Sequence, residues 1–144
     1  MTSVASLIAA LPEPGVYRWR STEPAQFVRR AAKEAGWRCY LLDGREIIDK
    51  ETFLTACAQA FAFPHWFGYD WDALEECLTN LDEAPGYVVV FDDWARFAIN
   101  DPEAWAAALA VFTAVVDTWW RSDIAMYVLL RGEGPEIDMP ILPD

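Results

Sequence analysis

Three short, dominantly apolar runs constrain this chain more than any other feature: Trp37–Leu42, Tyr87–Phe91 and Ala125–Leu130. None shows the polar-apolar alternation of a strand with one wet face, and each is too short for a buried helix. Each reads as a strand covered on both sides. Long helical patterns separate them, and strands joined through helices pair in parallel by right-handed crossovers. The expected fold class is therefore α/β, built on a small three-stranded parallel sheet packed with helices.

Residues 4–11 fit a short helix closed by the Pro12–Gly15 turn, and Val16–Arg20 alternates like a short edge strand, a candidate fourth strand at the N-terminal side. Thr22 or Glu23 can cap a helix with Pro24 in its first turn, ending at Gly36, with Ala25, Val28, Ala32 and Ala35 as its apolar stripe. Glu51–Phe61 carries Phe53, Leu54, Cys57, Ala58 and Phe61 at helical spacing. A loop from Phe63 to Gly68 leads to a helix from about Asp70 to Leu81, with Asp70 as N-cap. Trp94–Ile99 fits one or two helical turns, and Asp101-Pro102 opens a long helix to about Arg121. With 144 residues the chain makes one domain. Residues 1–36 form an extension packed on it, 37–131 its body, and 132–144 a loose tail.

Charge narrows the function. The net charge is -12, unevenly spread: residues 1–50 hold eight Lys/Arg against six Asp/Glu, and residues 51–144 hold three against seventeen. From Glu51 to Ala95 there are nine acids and no base. Such a field repels nucleic acid and anionic membranes and draws a basic partner. Eight tryptophans are far above ordinary usage, and large aromatics serve both cores and interfaces. Cys39, Cys57 and Cys77 lack zinc-site spacing and read as reduced thiols of a cytoplasmic protein. The start of the chain has no basic region before its apolar stretch, so a cleaved signal is not expected, and no run approaches the roughly 20 apolar residues that span a bilayer.

The helix over 70–81 concentrates the acids. Trp71, Leu74, Cys77, Leu78 and Leu81 recur at three- and four-residue spacing and should face the core. Asp72, Glu76 and Asn80 follow one another at i, i+4, i+8 on the outer side, with Glu75 and Thr79 beside them. Like charges at i, i+4 cost an isolated helix roughly 0.2–0.5 kcal/mol. Asp70 and Asp72 favour the positive end of the helix dipole, but Glu76 lies too far along to gain from it. A solvated face and a docking face both fit this pattern.

The segment from Phe63 to Thr79, with its Pro64-His65-Trp66-Phe67-Gly68 loop, Asp72-Ala73-Leu74, Glu76 and Cys77-Leu78-Thr79, resembles the signature of the barstar family of ribonuclease inhibitors. The Leu41-Leu42-Asp43-Gly44 turn, the Tyr87–Phe91 strand and the last helix-strand pair agree in order, so the likeness spans about residues 37–131. It implies a non-catalytic inhibitor that needs no cofactor or metal and plugs the catalytic cleft of a basic, barnase-like extracellular ribonuclease. By the same resemblance Asp72 and Glu76 are the interface acids, and Glu76 enters the phosphate-binding site to meet arginines and a catalytic histidine, a role bidentate hydrogen bonding suits. Trp66 would pack on that histidine, while Gly68, Asp70, Thr79 and Asn80 line the rim. Departures are Asp70 where Asn is common, Glu75 and Leu81 where aromatics occur, a Glu rather than Asp at 76, and only Asp117 as an acid late in the last helix.

Two rival readings use other features. A phosphoryl-transfer enzyme would draw on Asp70/Asp72 or Asp92/Asp93 as metal ligands, yet the chain has no P-loop, HExxH or G-x-S-x-G segment, and His65 is its sole histidine. An immunity protein or interaction module of the same fold would bind a different toxin or a regulatory partner.

Overall fold

The computed structural model describes residues 13–137 and 139–142. The expected helix at 4–11 lies outside them. Four strands, not three, form the sheet: β1 (Gly15–Arg18), β2 (Arg38–Asp43), β3 (Gly86–Asp92) and β4 (Ala125–Arg131), in the order β1-β4-β3-β2. All three pairings are parallel. The additional strand is the N-terminal one: β1 pairs with β4 in the register Gly15 to Tyr127 and Arg18 to Leu130. The chain then crosses the whole sheet from β1 to β2 and returns by single steps through β3 to β4.

That reversal explains the layers. Right-handed crossovers running in opposite directions must lay their helices on opposite faces. Among the described helices, α1 (Ala25–Glu34) is the one on its face of the sheet, where Val28 and Ala32 meet Val88, Val90, Tyr127 and Leu129. On the other face lie α2 (Lys50–Ala60), α3 (Trp71–Leu78), α4 (Ala95–Asn100) and α5 (Pro102–Trp120). Their Phe53, Leu54, Leu74, Leu78 and Phe112 pack with Tyr87, Val89, Phe91, Met126, Val128 and Leu130. Successive residues of β3 and β4 thus feed two cores in turn, which is why these strands read as continuous apolar runs.

Helix ends follow local chemistry. Asp49 caps α2 with a reciprocal bond to Thr52, Asp70 Oδ1 accepts from Ala73 N at 2.7 Å at the start of α3, and Asp101 Oδ1 accepts from Ala104 N ahead of Pro102 in α5. Neither Thr22 nor Glu23 caps α1: Pro24 holds the N-cap position, with no side-chain bond. Gly36, at φ +81, ends α1 in the left-handed conformation that glycine adopts freely. α3 is shorter than its apolar spacing suggested, closing at Thr79.

The tail is not loose. Arg18 N donates to Pro140 O and Leu142 N to Arg18 O, so residues 140–142 run along the outer edge of β1, with Leu142 buried beneath. At the carboxyl end of the sheet Arg131, 7% exposed, grips Asp92 with Nε and Nη2 at 2.6 and 3.0 Å. It also donates through Nη1 to Glu23 O at 2.6 Å. One β4 side chain therefore ties β3 to the β1–α1 connection.

Candidate functional site

α3 and the loop before it bring together four exposed acids, Asp70, Asp72, Glu75 and Glu76. The loop begins where α2 stops: Ala62 takes φ 53, and Ala62 N and Phe63 N return to Gln59 O and Ala58 O, a helix-ending motif that usually employs glycine. An aromatic column then supports the loop. Tyr40 lies on Phe61, Phe61 on Phe63 and Phe63 on Phe67, with centroids 4.5 to 5.5 Å apart, and exposed Tyr69 only touches the outer end at Phe67. Phe67 is buried and its N–H closes a turn on Pro64 O. Trp66 stands out of this column, 65% exposed and without a ring partner among the described residues.

Each residue singled out from the sequence has a definite place. Leu74, Cys77 and Leu78 are buried in the main core, with Trp71 and Leu81 half-buried against it. Asp70, Asp72, Glu75, Glu76 and Asn80 are exposed. Among the described residues, no lysine or arginine comes within 4.0 Å of the carboxylates of Asp72, Glu75 or Glu76. Thr79 and Asn80 have work within the chain, because Thr79 Oγ1 donates to Glu75 O at 2.9 Å and Asn80 Nδ2 to Glu76 O at 2.7 Å, satisfying carbonyls at the helix end. Gly68 is exposed, and a Cβ there would make only ordinary contact with Ala73 and Asp70, at 3.6 and 3.7 Å. The fold itself does not demand glycine at that point. Asp117, the acid late in the last helix, pairs with Arg121 at 2.8 Å on the surface.

The structure adds a groove of about 580 Å³ beside the ridge. Phe63, Pro64 and Trp66 form one wall, Glu76, Cys77, Asn80 and Leu81 another, and Arg38 and Asp82 close an end with a 3.9 Å ion pair. It joins Trp66 to Glu76, ten residues apart in sequence, in one concavity. Burial raises the Cys77 thiol above its ordinary value, and the neighbouring Glu76 charge raises it further, so this cysteine is a protonated wall group. Sequence reasoning missed Arg38 and Tyr40, which come from the opening of β2 with no shared periodicity to link them to α3, and it named Phe63 and Pro64 as part of the loop but not as site residues.

The alternative acids are placed differently. Asp92 is held by Arg131, and Asp93, at φ 54, follows it at the strand end. Among the described residues no group of three His, Cys, Asp or Glu side chains is arranged to hold a metal ion, and no helix is long and apolar enough to cross a membrane.

These features define a parallel α/β domain that displays an acidic helix, without ion-pair partners among the described residues, beside an exposed tryptophan. The chain belongs to the barstar family: the family model described as Barstar (barnase inhibitor) matches residues 37–131. No curated protein matches the sequence. Among solved structures, the ORC2 protein of Aeropyrum pernix in its ADP form is similar over 91% of this chain, at 12% identity and a TM-score of 0.61. The same protein in its ADPNP-ADP complexes is similar over 90%, at 15% identity and 0.58. This chain spans 38% of either ORC2 chain, and at such identity the likeness concerns the fold alone.

Proposed function

We propose that this protein acts inside the cell as a non-catalytic inhibitor of a basic, barnase-like ribonuclease, laying α3 across the enzyme's active-site cleft. The observation that carries the reading is the outer side of α3, where Asp72, Glu75 and Glu76 stand exposed without a cationic partner of their own among the described residues. Membership of a family described as barnase inhibitors supports the same conclusion. In the complex Glu76 accepts bidentate hydrogen bonds from arginines that otherwise hold RNA phosphate, Asp72 faces the rim of the cleft, and Trp66 lies against the catalytic histidine. Gly68, Asp70, Glu75, Thr79, Asn80 and Leu81 complete the contact. Free thiols at Cys39, Cys57 and Cys77 suit a reducing compartment.

The test is titration of a panel of basic microbial ribonucleases with the purified protein. Stoichiometric loss of activity is expected, weakening with salt because exposed charges are screened beyond roughly 10 Å at 0.1 M. Asp72→Ala and Glu76→Ala should each cost about 2 kcal/mol or more of affinity. Full inhibition by both variants would remove the ridge from the interface. Inhibition of no ribonuclease would leave the same surface to a different toxin or regulatory partner.

A further inference from the structure

Tyr69 occupies a position that the fold alone does not explain. Its backbone lies in the left-handed region, at φ 52, where a bulky L-residue crowds its own Cβ and where Gly, Asn or Asp would rest more easily. The residue is 52% exposed. It touches Phe67, with centroids 4.8 Å apart, and its hydroxyl makes no hydrogen bond among the described residues. A large aromatic has therefore been placed at a strained site and left mostly in water, an arrangement characteristic of residues that serve a ligand.

The ring also opens a second direction of contact. Tyr69 lines a cleft of about 430 Å³ with Lys50, Glu51, Leu54 and Thr55 of α2, separate from the groove beside Trp66. Lys50 is turned over the Trp71 ring, its Nζ 5.6 Å from the centroid. Lys50 and Glu51 carry opposite charges in this lining, so the group that favours a positive side chain there is the π-face of the exposed Tyr69 ring.

We infer that Tyr69 is a specificity-determining contact for a cationic side chain of the basic partner, extending the interface from α3 toward α2. This rests on the inhibitor reading above. It is tested by measuring dissociation rates from whichever ribonuclease the protein inhibits, together with melting temperatures, for the full-length parent, Tyr69→Gly and Tyr69→Phe. Tyr69→Gly should dissociate about tenfold faster, the size of a partly desolvated cation–π contact, while melting no lower than the parent because the backbone strain is gone. Tyr69→Phe keeps the π-face and should stay within about twofold of the parent. An unchanged dissociation rate for Tyr69→Gly would overturn the inference while leaving the inhibitor reading intact, and a lowered melting temperature would make the ring a structural prop and also overturn it. A parent that inhibits no ribonuclease would remove both readings together.

Discussion

Replacing Glu76 by lysine separates what the acidic ridge does for folding from what it does for binding. In the free protein Glu76 lies four residues after Asp72 in the last turns of α3, exposed, with no basic residue in the final turn. Glu76→Lys removes a like-charge i, i+4 repulsion of roughly 0.2–0.5 kcal/mol and installs an attraction of similar size in the better orientation, acid before base. It also places a cation near the negative end of the helix, worth at least about 0.3 kcal/mol at an exposed site. Together these stabilise the fold by about 1 kcal/mol, or about 3 °C in melting temperature for a domain of this size. Binding should move the opposite way, by about thirtyfold or more in Kd, since a hot-spot acid worth about 2 kcal/mol is lost and a cation now faces a cationic cleft. Thermal unfolding and ribonuclease titration at one ionic strength measure both sides. Cys77 supplies a third readout: with the Glu76 charge gone, one cause of its raised thiol pKa disappears, and alkylation should quicken at a fixed pH near neutrality. A variant that melts clearly below the parent would show that Glu76 is engaged in the fold and would refute the reasoning.

Further expectations test the frame that holds the ridge. A Cβ at Gly44 would lie 2.2 Å from Asp93 O and 2.3 Å from Asp92 O, both rigid backbone, so Gly44→Ala should lower stability by about 2–3 kcal/mol in urea unfolding, and an unchanged midpoint would refute that close approach. Arg131→Met removes the paired bonds to Asp92 and the bond to Glu23 O. Because the Asp92 side chain keeps 32% exposure, the loss should fall at the low end for a broken buried pair, about 3 kcal/mol; a neutral result in the same assay would mean that the tie does not stabilise the sheet. Hydrogen bonds from Thr52 hold the Asp49 carboxyl below its usual range. A depressed folded-state pKa contributes stability above the unfolded value near 4 and loses it as pH falls further, so Asp49→Asn should flatten the acid limb of a stability-pH curve, and an identical limb would exclude this cap as a contributor.

Much of the site was legible before any coordinates, for local reasons. The N-cap of α3 is Asp70 because an Asx side chain three residues before a free amide accepts its hydrogen bond wherever the helix lies. The outward side of Asp72, Glu75 and Glu76 follows from the same 3.6-residue period that turns Leu74, Cys77 and Leu78 inward. The groove was not legible, because Arg38 and Tyr40 reach it from a strand and Phe63, Pro64 and Trp66 from a loop. Nor was the strain at Tyr69, since nothing in its neighbours' composition specifies a left-handed backbone.

The same division runs through the fold. The sequence by itself determined β2, β3 and β4, because strands that feed two cores must be apolar at nearly every position, and it determined the helices that pack between them in chain order. Only the tertiary structure decided that Gly15–Arg18 would join as a fourth strand, that the last residues would seal its edge, and that a charged Arg131 would be buried. The physical reason is range. Side-chain period and capping act over a few residues, whereas β1 meets β4 across more than a hundred, and Arg131 is tolerated inside because Asp92 and the Glu23 carbonyl arrive there from distant parts of the chain.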